Sequence, residues 1–106
     1  MKLVLAIVNT EDCDAVTESL SRNGFYVTKL ASTGGFLRDG NSTVLVGTED
    51  EKVEKVCDII KNTCHARKKF YAPPAFRTDL SDVKPVEVTV GGATIFVLNV
   101  DFWEKV

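Results

Sequence analysis

The sequence predicts an α+β fold in which one antiparallel sheet carries two helices on the same face. Two observations lead there. Strand and helix patterns follow each other in the order strand-helix-strand, strand-helix-strand, and the chain repeats itself weakly. "LVLAIVNTED" and "STVLVGTED" each read as a strand, then Thr-Glu-Asp, then an amphipathic helix. Two right-handed crossovers in that order give a ferredoxin-like βαββαβ sandwich, here with an added C-terminal hairpin strand. At 106 residues the chain is one domain, 1–106.

Each element has a local reason. Leu3 to Val8 is a continuous apolar run, the pattern of a central strand. Thr10 is the candidate cap of the first helix, with Glu11 and Asp12 at its positive end. Cys13, Val16 and Leu20 share one face of that helix, and Asn23-Gly24 ends it. "FYVTKLA" reads as the second strand and "STVLVG" as the third. Thr48 and Glu51 have the spacing of a capping box. Val53, Val56, Cys57, Ile60 and Cys64 then form an apolar stripe at helical spacing. All three prolines fall in a loop that a short edge strand near Phe70-Tyr71 opens. Finally Val86, Val88 and Val90 alternate up to Gly91-Gly92, and a last strand runs to Val100. Gly-Gly between alternating segments predicts a hairpin.

Composition narrows the function. The chain is 44% hydrophobic and 26% charged, ordinary for a globular protein. A net charge of −2 argues against a nucleic-acid polymer as partner, since such binders show a basic face. A small anionic ligand needs only an Arg and some backbone amides. The apolar run of "MKLVLAIV" stops at Asn9 with no small-residue cleavage site after it. No segment approaches the roughly 18 apolar residues of a membrane span. The expectation is a cytoplasmic protein, with three cysteines held reduced. Cys13, Cys57 and Cys64 sit on apolar stripes and read as packing residues, and metal-ligand spacings such as C-x2-C are absent. His65 beside Cys64 does not make a nucleophile pair, because helix neighbours diverge by about 100°. No metal, resident cofactor or catalytic set is expected.

The connection from Leu30 to Gly47 is longer than the two to five residues of a hairpin turn. Gly34-Gly35 admits a close approach to the main chain. Successive amides in such a turn form an anion nest, and Arg38 adds charge. Asn41 presents a donor and an acceptor that match an adenine edge, and Phe36 offers a stacking face. These are the parts of a nucleotide site. The same residues also suit a polar hairpin loop whose glycines serve only turn geometry.

"TKLASTGGFLRDGN", then "VLVG", and later "PVEVTVGGATIFVL" resemble the motifs of the bacterial PII-like cyclic di-AMP receptors. The resemblance covers nearly the whole chain and is weakest from Arg67 to Lys84. It implies a homotrimer of ferredoxin-like subunits with a cyclic di-AMP molecule in each cleft between neighbours, and no catalysis. It implies loops that reorder on binding to present a surface to a downstream protein. Residue by residue, it places the backbone of Gly35, Phe36 and Leu37 on phosphate. It assigns Asn41 and the Gly47 main chain to one adenine, and Thr28 to a ligand hydroxyl contact. Gly92 and Ala93 would border the site. Gly24 and Tyr26 stand where family members often carry Asn and Arg, and Tyr26 can replace the Arg by stacking. Phe102 and Trp103 are further aromatics near a subunit edge or the cleft. Two other readings share the fold. One is a PII-like trimer sensing ATP or ADP. The other is a metal-handling trimer, against which the lack of clustered His, Cys and Met counts.

Overall fold

The apolar run at the N-terminus forms β1 (Lys2–Asn9), one of the two inner strands of a four-stranded antiparallel sheet. The computed structural model describes residues 1–30, 40–64, 67–71 and 86–106. On one side β1 pairs with β3 (Asn41–Thr48) along its full length. On the other it pairs with β6 (Ala93–Asn99), while β2 (Val27–Leu30) adds to the far edge of β3. The sheet order is therefore β2-β3-β1-β6, the order of a ferredoxin-like sandwich. The crossovers are α1 (Thr10–Arg22) and α2 (Val53–Thr63).

Side chains alternate across a strand, so β1 divides its residues between two surroundings. Val4, Ala6 and Val8 are buried with Cys13, Val16 and Leu20 of α1 and Val56 and Ile60 of α2. Both helices touch β1 and each other, so they share one face of the sheet. Leu3, Leu5 and Ile7 lie on the other face and are only half-buried. There Leu5 stands opposite Leu45 and Phe96, and Leu3 opposite Leu98. Phe96 and Leu98 stay 51% and 46% exposed. A monomer would thus present a contiguous apolar sheet face to water.

Several local expectations are corrected. Asn9, not Thr10, caps α1: its side-chain oxygen accepts from the Glu11 amide at 2.9 Å. Thr10 already lies in the helix, and its hydroxyl sits 3.1 Å from that of Ser42. The Thr48–Glu51 capping box does not form. Pairing with Lys2 keeps Thr48 in β3, and a 3-10 turn (Asp50–Lys52) precedes α2, so no side chain caps it. Cys57 is half-buried, while Cys13 and Cys64 are fully buried.

The larger correction concerns the C-terminal hairpin. β5 (Val86–Val90) does not fold back on β6. It pairs with β4 (Arg67–Tyr71) in a separate two-stranded sheet, with Arg67 opposite Val90 and Tyr71 opposite Val86. Gly91 and Gly92 both take positive φ, 84° and 76°. Only glycine adopts such angles in succession at little cost. They carry the chain from one sheet into the other, and the next seven residues are taken up by β1.

Candidate functional site

The end of β1, the start of β3 and the Gly91-Gly92 bend enclose a small cleft of about 260 Å³. It is lined by Asn9, Asn41, Gly92, Ala93 and Thr94, among others. Asn41 opens β3 directly opposite Asn9. The Asn9 side chain is held by its cap bond, and the Thr10 amide donates to the Gly40 carbonyl at 2.7 Å. The position of Asn41 is therefore set from both sides. Three expected site residues, Asn41, Gly92 and Ala93, meet in this cleft.

The opposite end of the sheet carries a larger groove of about 1010 Å³. Tyr26, Thr28 and Gly47 line it. Gly47 is exposed on the apolar sheet face, opposite Leu3, and a Cβ built there would meet nothing within 4 Å. Packing within its own subunit does not require a glycine at this position. Thr28 pairs with Leu45 on the same face.

These two places are far apart. Six residue steps of extended β3 separate Asn41 from Gly47, about 20 Å at the usual strand rise. The two therefore cannot contact one adenine from within the same subunit. The remaining expected residues, Gly35, Phe36 and Leu37, lie outside the described residues, as does Arg38.

A family model for the cyclic-di-AMP receptor matches residues 1–106. The chain belongs to the cyclic-di-AMP receptor family. The receptor is also similar to a solved protein of unknown function from Pediococcus pentosaceus, with 40% sequence identity and a TM-score of 0.75. That match covers 99% of this chain and 96% of the other.

Sequence reasoning missed one contact that ties β4 to α1. Arg67, the first residue of β4, grips Asp12 in the first turn of α1 with both guanidinium ends. Nη1 donates to Oδ2 at 3.2 Å and Nη2 to Oδ1 at 3.1 Å. Glu11 lies 3.5 Å from the same Nη2. The hydrogen bonds to Asp12 hold the guanidinium's pKa above its ordinary value, with Glu11 adding to the effect. Asp12 is nearly buried, an unusual place for a carboxylate without a fixed partner. Among the described residues β4 and β5 make extensive contacts with each other alone, so this fork is a side-chain tie between them and the body. The only sequence signal was an acid adjoining the buried Cys13–Val16–Leu20 stripe.

Asp12 also bears on the thiols. Burial pushes Cys64 up to about 11, Asp12 and Cys13 add to the rise, and Arg67 opposes it. A thiol that high carries almost no thiolate at neutral pH. A disulfide-exchange reagent should therefore modify Cys57 readily in the folded receptor and reach Cys13 and Cys64 only after denaturation. Rapid native labelling of more than one cysteine per chain would contradict this packing. Among the described residues no group of three or more His, Cys, Asp or Glu is placed to hold a metal ion, and no helix is long and apolar enough to cross a membrane.

Proposed function

We propose that this receptor binds cyclic di-AMP in clefts between the subunits of a cytoplasmic homotrimer, and that binding reorders its loops to signal to a partner protein. Its role in this reading is binding without catalysis. The observation that carries the proposal is the division of the expected site. Asn41, Gly92 and Ala93 sit at one end of the sheet, and Tyr26, Thr28 and Gly47 at the other. Two half-sites about 20 Å apart on one strand make a single site only when different subunits contribute them. The apolar sheet face supports the same assembly, because a symmetric oligomer would cover it.

Calorimetric titration against cyclic di-AMP, cyclic di-GMP, ATP and AMP tests the ligand, and light scattering tests the assembly. The expected result is preferential binding of cyclic di-AMP, one molecule per chain, by a particle three times the 11.6 kDa chain mass. Preference for ATP would favour the other nucleotide reading. A monomer at micromolar concentration would reject the intersubunit site.

A further inference from the structure

The larger groove contains side chains that the expected site does not use. Trp103 is the chain's single tryptophan, and it lies in the irregular segment after β6. It lines the groove together with Tyr26, and the two remain 62% and 93% exposed. Exposed aromatics sharing one groove offer stacking surfaces for a planar ring.

The cations of the groove divide into two kinds. The Met1 ammonium is paired with Asp50 at 2.9 Å, and it holds that carboxyl below its ordinary range. Lys52 lies 3.9 Å from Glu49. Lys55 and Lys105 also line the groove, and neither has an ion pair or hydrogen bond among the described residues. Two ammonium groups without an ion pair among the described residues therefore line the same groove as two exposed aromatic rings. A cyclic dinucleotide has the complementary chemistry: planar bases joined through two phosphodiesters, each with one negative charge.

We propose that Trp103, Lys55 and Lys105 form a base-and-phosphate subsite in the larger groove, with the indole against an adenine and the two ammonium groups toward the phosphodiesters. The inference rests on cyclic di-AMP as the ligand and adds residues that neither the motif nor the family match assigns. It makes the C-terminal segment part of the binding surface. It also gives the groove a preference for an anionic ligand with a base over a free base or a simple anion, since each supplies only half of the contacts.

Because Trp103 is the single tryptophan, its emission reports on this groove directly. Titrating the full chain with cyclic di-AMP should change indole emission with the same midpoint as the calorimetric heat. Trp103→Ala should weaken binding about tenfold or more, and Trp103→Phe should restore most of it. Lys55→Gln with Lys105→Gln should weaken binding and flatten its dependence on salt, as loss of a charge contact requires. Heat of binding with unchanged indole emission, together with parental affinity in these variants, overturns the subsite and leaves the ligand reading intact. No binding of cyclic di-AMP to the parent chain overturns both.

Discussion

Phe96→Asp should convert the proposed trimer into an 11.6 kDa monomer that no longer binds cyclic di-AMP. Phe96 stands opposite Leu5 on the sheet face away from the helices, and half of it is exposed in the subunit. In a free subunit an aspartate there stays in water, so the fold and its circular dichroism should survive. In the assembly the carboxylate would be buried without a partner, which costs several kcal/mol. At 1.4 kcal/mol per factor of ten, that is a loss of association of more than about a hundredfold. Binding should go with it, because each site then lacks one of its two contributors. Light scattering and calorimetry on the same sample check both halves. A variant that stays trimeric, or a monomer that binds like the parent, would dismiss the intersubunit arrangement.

Asn41→Ala should weaken cyclic di-AMP binding by roughly 1–3 kcal/mol, about tenfold or more in the dissociation constant. The amide is lost from a cleft whose walls are tied by the Asn9 cap and the Thr10–Gly40 hydrogen bond. Gly92→Val should do more harm. Its φ of 76° is an outlier for a β-branched residue, and the bend would have to move to relieve it. Ala93, in the same cleft, would shift too. Both variants need only be titrated as folded trimers. Parental affinity in each would remove the small cleft from the site.

The body of the fold was legible because its signals are local. Of the run from Leu3 to Val8, Val4, Ala6 and Val8 became core; the stripe Cys13–Val16–Leu20 did so entirely, and the stripe from Val53 to Cys64 did so at Val56, Ile60 and Cys64. Capping was misread by a single position, since Asn9 and Thr10 are both good caps and only the geometry chooses between them. The partner of β5 was not legible. Gly-Gly encodes a reversal in direction but not the strand that receives it; the edge strand expected near Phe70-Tyr71 is there as β4, but nothing in "RKKFY" names β5 as its partner. The Asp12–Arg67 fork spans 55 positions and leaves no periodic trace. How the expected site residues are distributed over the sheet was not legible. A motif that is continuous from Gly35 to Gly47 looks like one pocket on paper, yet an extended strand sets Asn41 and Gly47 about 20 Å apart.

The Gly91-Gly92 bend has a mechanical consequence. It is at once a wall of the small cleft and the root of β5. Five extended residues reach about 17 Å from that root, so a tilt of about 10° there carries Val86 through about 3 Å. The bend is a fulcrum and the β4–β5 ribbon its long arm, with Arg67 on Asp12 a second point of attachment to the body. An adjustment too small to rearrange the cleft becomes, at the far end of the ribbon, a displacement as large as an atom.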